Sequence, residues 1–256
     1  MRLRTGLVAL VLLLPACSDA DTGVRVAQPP ATLLTATPSA TPTPSVVRTS
    51  PPVALSPASV APRRTGAVVT TCPGVRAVGA ATQVLLVASS GSTARVRACE
   101  RRDGRWVSVL GAMSGHVGGR GVAPVGAKRE GDLRTPSGTF TLGRGFGQRA
   151  DPGVAFPWRG VGPRDVWVDD PGSSLYNTWQ QAPAAGRWDS AESLDVPAYA
   201  YAQVIDYNTA RVPGRGSAIF LHVDLGRTTA GCVALPRPDL LRVLRWERPR
   251  AVVVIR

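Results

Sequence analysis

The chain has 256 residues, and its 67–256 portion is long enough for one domain with a sizeable core. Its formal charge is +13, almost all of it arginine, with Lys128 the only lysine; such a surface is drawn to anionic polymers and headgroups. Two histidines and four cysteines without ligand spacing argue against zinc, and no Gly-rich phosphate loop follows a strand and opens a helix, so no cofactor is expected.

Residues 1–16 read as an export signal. Arg2 and Arg4 precede an apolar run, 7–14, that is too short to span a bilayer, and a small-residue site follows at Leu14-Pro15-Ala16-Cys17. That site resembles the bacterial lipobox, which implies lipidation of Cys17; cleavage without lipidation is the alternative. Either way the rest of the chain lies outside the cytoplasm, in the cell envelope, which removes nucleic acid as a partner. Residues 17–66 are rich in Pro, Thr, Ser and Ala, as in TATPSATPTP, and bury too little to fold. They read as a tether of about fifty residues, reaching roughly 40 Å as a coil.

The folded part, 67–256, is predicted to be mainly β. Strand patterns occur at 83–88, 93–98, 106–110, 139–142, 201–205, 217–223 and 251–255, with Gly and Pro between them, which argues for a β-sandwich. His116 lies in GHVGG, read as an exposed turn. The loop region around Asp169, Asp170, Tyr176, Asn177 and Trp179 could line a groove; equally, Trp179 and Trp188 could pin a long loop to the core. One short helix is expected after 232–235, with Pro238 in its first turn and Leu240, Leu241 and Leu244 as its apolar stripe.

The segment 222–236, HVDLGRTTAGCVALP, carries the chemistry. In an oxidising compartment Cys72 and Cys99 can pair, closing a loop of nearly thirty residues for about 3–4 kcal/mol. Cys232 is then left over, although counting alone leaves open its pairing with either. An unpaired cysteine is commonly a small buried hydrophobe. Here strand alternation puts Ala218, Phe220 and His222 on one face, and a second short strand, 232–235, is expected to return antiparallel and bring Cys232 beside His222. A thiol next to an imidazole is an activated nucleophile, ionised well below its ordinary value of about 8.5. Gly231 permits close backbone approach, and the N–H groups of Gly231 and Cys232 can face a developing oxyanion.

With DLRTPSGTFTL at 132–142, this segment resembles the L,D-transpeptidase catalytic domain family, the YkuD-like domain. The resemblance rests on Thr135, Pro136, Gly138 and Phe140 upstream, and on His222, Thr229, Gly231 and Cys232 downstream, across roughly 82–256. Ala230 and Ala234 depart from the common S-H-G-C form and the polar residue that follows it. The resemblance implies a β-sandwich with the thiol in a groove at its edge. It also implies Cys232 as nucleophile, His222 as base oriented by a carbonyl such as that of Val223, and acyl transfer through a thioester on peptidoglycan stem peptides. Asp224 is the side-chain alternative for orienting His222.

Lys128, Thr229, Tyr207 and Trp179 are the candidate substrate contacts. The expected protein is a monomeric, membrane-tethered acyltransferase with peptidoglycan as partner. Two alternatives stand: an L,D-carboxypeptidase or amidase that uses water, and a wall-binding lipoprotein without catalysis.

Overall fold

The computed structural model describes residues 71–75 and 78–256. The signal segment 1–16, Cys17 and the tether 17–66 lie outside the described residues.

The chain begins with three strands joined by tight hairpins: β1 (Gln83–Ser90), β2 (Thr93–Arg102) and β3 (Arg105–His116). Asp103 and Gly104, both at positive φ, make the second turn, the Asp-Gly pairing that suits a two-residue hairpin. In β2, Ala94, Val96 and Ala98 are buried while Arg95 lies exposed between them, so period two sets which face packs inward. β4 (Gly138–Gly147) and β5 (Trp158–Gly160) follow as a parallel pair. A separate three-stranded sheet then places β6 (Asp165–Val168) between β7 (Trp179–Gln181) and β8 (Ala191–Ser193). After a 3-10 turn at Pro197–Ala200 come β9 (Ala202–Ile205), β10 (Phe220–Val223), β11 (Val233–Leu235), helix α1 (Arg237–Trp246) and β12 (Val252–Ile255).

The fold is mainly β, with the short helix after the cysteine, as expected. The packed layers form one sheet closed on itself. Its order is β12-β1-β2-β3-β11-β10-β9-β4, with β5 added at β4, and β12 pairs with both β1 and β4. Closure leaves few unpaired edges. The interior is filled by Leu85, Val87, Val96, Leu142, Leu221, Val233 and Val253, on which α1 docks. The docking stripe is Leu240, Val243 and Leu244; Leu241 is only half-buried, a correction of the expected stripe by one helical position.

Two further expectations are corrected. β10 and β11 are parallel, Leu221 opposite Val233. A four-residue strand is only about 13 Å long, so the intervening residues can carry the chain back to the same end. His116 is not in an exposed turn: it ends β3, pairs with Thr93 and Ala234, and its Nδ1 lies 2.7 Å from Asp224 Oδ2.

Cys72 and Cys99 are disulfide-bonded, packed with Val84, Leu86 and Val252, and among the described residues Cys232 is the free cysteine.

Candidate active site

Alternation along 218–223 holds as expected. Ile219, Leu221 and Val223 face the barrel core. Ala218 and Phe220 face outward with Cys232, against Phe146, Leu194 and Tyr199. This second cluster seats the small sheet on the barrel wall, through edge-to-face contacts of Trp167 with Phe220 (5.1 Å) and of Trp179 with Phe146 (5.3 Å). Between the two units lies a cleft of about 580 Å³, lined among others by Cys232, His222, Tyr199, Glu192, Lys128 and Thr229. Leu133 and Leu225, both exposed, stand at its rim.

The parallel arrangement of β10 and β11 shapes this cleft. A hairpin would leave its connection at one end of the sheet. The crossover instead carries Leu225 and residues 227–231 along the cleft wall and delivers Cys232 from above. The connection is pinned to the upstream motif. Thr229 N–H donates to Val117 O (3.0 Å), and Gly119 N–H donates to Thr229 O (2.9 Å). Thr135, fully buried, accepts from Gly118 N–H (2.9 Å) and donates to Cys232 O (3.2 Å). Thr229 Oγ1 donates to the same carbonyl at 2.7 Å. The TPSGTF element thus acts on the site through one hydroxyl. Its glycine, Gly138, sits at φ +143° with the Phe140 ring against it, where a Cβ would fall 2.9 Å from Phe140 Cζ.

The structure brings Cys232 and His222 into one cleft. His222 Nδ1 donates to Val223 O at 2.8 Å, so Nε2 is the unprotonated nitrogen of the neutral ring. This is the backbone orientation expected; Asp224 is committed to His116. Burial holds the His222 imidazolium below its ordinary range, against weaker support from the Val223 carbonyl and Asp224. The Cys232 thiol donates to Ala218 O and accepts from Phe220 N–H, each at 3.3 Å. Burial, and secondarily the Glu192 carboxylate, push the thiol up to about 12. Burial and the Glu192 charge therefore oppose the low-pKa thiolate expected from the sequence and favour a neutral thiol beside a neutral imidazole.

Gly231 is tightly placed, since a Cβ there would lie 3.1 Å from Arg134 O and 3.2 Å from Ile219 Cδ1. Its N–H is held by Thr229 Oγ1 at 3.1 Å, so an oxyanion would have to share or take that donor. Lys128 lines the cleft with its methylenes against Gly216 and Gly231. Its ammonium is tied to Asp132 Oδ1 (2.7 Å) and Arg129 O (2.6 Å).

Tyr207 and Trp179 lie away from this cleft. Tyr207 stacks edge-on with Phe140 (5.6 Å) and donates to Arg215 O (2.6 Å). Trp179 packs on Phe146 and donates to Asp165 Oδ1 (2.6 Å), with Arg159 over its ring. Trp188 is buried against Val166 and Val168. Trp179 holds the loop region to the barrel wall, while Trp188 packs within the small sheet and its loops. Asn177 Oδ1 accepts from Trp167 Nε1 and Ala218 N–H, tying the small sheet to the strand approaching β10.

Sequence reasoning missed three cleft groups. Tyr199 packs against Cys232 and meets the His222 ring edge-on at 5.4 Å. Its hydroxyl donates to Glu192. Glu130 accepts from Ser217 Oγ (2.7 Å) and from Tyr176. Pro197 before Tyr199 was a local signal for a turn; nothing in the three-residue β8 announces Glu192.

Among the described residues no group of three His, Cys, Asp or Glu is placed to hold a metal ion. No described helix is long and apolar enough to cross a membrane.

The fold and site define a β-barrel domain with a cysteine and a histidine in a shared cleft. The chain belongs to the L,D-transpeptidase catalytic domain family, YkuD, whose model matches residues 92–255. That family acts on peptidoglycan, in the cell envelope. Among solved structures it is similar to the helical cell shape determining protein Pgp2 (K307A mutant) of Campylobacter jejuni, at 20% identity and a TM-score of 0.37. That match covers 68% of this chain and 47% of Pgp2, so this chain spans about half of that protein's length. No curated protein matches.

Proposed function

We propose that this chain is an L,D-transpeptidase, a cysteine acyltransferase acting on peptidoglycan stem peptides and held at the membrane by a lipid on Cys17. The observation that carries the chemistry is the orientation of His222: with Nδ1–H fixed on Val223 O, its bare Nε2 belongs to the cleft that holds Cys232.

Because both groups rest neutral, the reaction runs by general-base catalysis. The Cys232 sulfur bonds to the donor's carbonyl carbon as its proton passes to His222 Nε2, and the carbonyl π electrons move to oxygen. Collapse of that oxyanion breaks the C–N bond, and the imidazolium returns its proton to the leaving amine. The product is a thioester. An acceptor amine attacks it, His222 takes the amine proton, and the departing sulfur is reprotonated by the imidazolium. The N–H groups of Gly231 and Cys232 are the proposed oxyanion donors, the first once Thr229 Oγ1 yields it. Lys128 and Thr229 are cleft-lining groups that shape the wall.

The test is mass spectrometry of muropeptides after incubation with sacculi. New cross-links support this reading. Shortened stems without cross-links replace it with a carboxypeptidase or amidase, in which water resolves the thioester. Unchanged muropeptides leave a wall-binding lipoprotein.

A further inference from the structure

Five charged side chains line the cleft beside the cysteine–histidine pair: Lys128, Arg227, Glu130, Asp169 and Glu192. Lys128 is neutralised by Asp132. Glu130 is held by Tyr176 and Ser217, and Asp169 accepts from Ser190 Oγ at 2.6 Å. Among the described residues none of these three cleft carboxylates forms an ion pair within 4.0 Å. Glu192 differs in its connection. Its donor is Tyr199, and Tyr199 is the residue packed on both Cys232 and His222. One side chain therefore separates an uncompensated carboxylate from the nucleophile.

The geometry points to a charge gate: Glu192, held by Tyr199 beside Cys232, opposes thiolate formation while it is ionised and ceases to do so when it takes a proton. This rests on Cys232 being the nucleophile. Glu192 touches no reacting atom and is a positioning residue, acting across Tyr199.

The surroundings put the gate in a useful range. The groups facing Glu192 are Tyr199 from the 3-10 turn, Asp169 after β6, Glu130 and Lys128 from the 128–132 loop, and the Cys232–His222 pair. Burial raises Glu192 to about 7, Asp169 and Glu130 add to it, and the Tyr199 hydroxyl opposes. The proton comes from solvent and returns to it, so nothing else is consumed.

The experiment measures iodoacetamide alkylation of Cys232 in the full chain from pH 5 to 10, read on the Cys232 peptide by mass spectrometry. In wild type, the rise of log rate with pH flattens near pH 7 as Glu192 ionises, then resumes. Glu192→Gln removes the flattening. It speeds alkylation at pH 8 by about three-fold: roughly ten-fold more thiolate, offset by roughly three-fold lower nucleophilicity. Tyr199→Phe keeps the charge and removes its donor, so the flattening moves to higher pH, an effect that loss of packing alone does not produce. A Glu192→Gln profile that superimposes on wild type overturns the gate. If Glu192→Gln does not fold, an unmoved flattening in Tyr199→Phe overturns it. Should His222→Ala also leave the rate unchanged and muropeptides stay intact, the nucleophile assignment itself fails; a slowed His222→Ala with an unaltered Glu192→Gln removes only the gate.

Discussion

His222 gives its Nδ1 proton to the carbonyl of Val223, the next residue in the same strand, at 2.8 Å. The base is thereby oriented without a carboxylate. Its tautomer is fixed by the backbone of β10, which is locked between β9 and β11. No carboxylate is hydrogen-bonded to the ring among the described residues, and burial keeps the imidazolium below its ordinary range despite weaker support from Val223 O and the Asp224 charge. Asp224 is turned to His116, across the small Ala234, which sits opposite His116 in the ladder.

This arrangement separates two variants. His222→Ala should slow alkylation of Cys232 at pH 7 by about ten-fold, because the thiol loses its proton acceptor, and the gap should narrow as hydroxide takes over at higher pH. Asp224→Asn should change the rate by less than about two-fold, since its carboxylate serves His116. The measurement is the pseudo-first-order rate at pH 7 and pH 10. Equal rates for His222→Ala and wild type at pH 7 would return Cys232 to the status of a core thiol.

Thr135 links the upstream motif to the nucleophile through its hydroxyl alone. Thr135→Val keeps the shape but strands the buried Gly118 N–H, while Cys232 O retains Thr229. A loss of about 1–3 kcal/mol in urea unfolding is expected, with Thr135→Ser recovering most of it. A valine variant as stable as wild type would show that the motif threonine acts by packing.

The disulfide should matter for stability and not for chemistry. Cys72 and Cys99 pack in a cluster of their own and neither lines the cleft. With a separation of 27 residues, the crosslink is worth about 3–4 kcal/mol in the chain-entropy picture. Replacing both by serine should lower the unfolding midpoint markedly while Cys232 alkylates at the wild-type rate. A changed alkylation rate in a folded variant would show that the crosslinked strands set the cleft.

The barrel strands β1–β4 and β9–β12 were legible because their signals are local, whereas the three- and four-residue β5–β8 were not. Alternation in 217–223 fixes which side chains face inward, and the structure keeps that assignment. The sense of pairing between β10 and β11 was not legible. A connection of this length serves a hairpin or a short crossover equally, and the choice depends on β3 receiving β11 on its other side. Closure through β12 is set by contacts between Val254 and both Leu86 and Thr139, more than a hundred residues away in sequence. Cys232 and His222 could be read from their motif. Glu192 and Tyr199 reach the site only because the small sheet folds over the barrel wall. Trp179 and Tyr207 were expected as substrate contacts, yet packing claims both.

A fully buried carboxyl group lies outside the site. Glu247 caps the end of α1 and is fully buried, and neither of its carboxyl oxygens has a hydrogen-bond partner. Gln203, whose cross-strand partner Leu221 faces the core, lies close enough to favour the charged form slightly, but no bond of standard geometry joins them. The Gln203 amide nitrogen donates to Gly143 O at 3.2 Å, leaving its oxygen free to accept. That unpartnered oxygen is an acceptor available to a protonated Glu247. Burial raises the carboxyl to about 8, from 4.5 for an unperturbed glutamate. The folded state therefore holds a proton that the unfolded state releases between these values, so stability falls as pH rises from about 4.5 to 8 and levels above. Glu247→Gln keeps the shape and a donor, and removes the titration. It should match wild type near pH 4.5 and exceed it at pH 8 by on the order of a few kcal/mol. Urea unfolding at pH 5, 6.5 and 8 measures the slope, and parallel pH profiles for the two proteins would mean that Glu247 is ionised in the fold and finds compensation there.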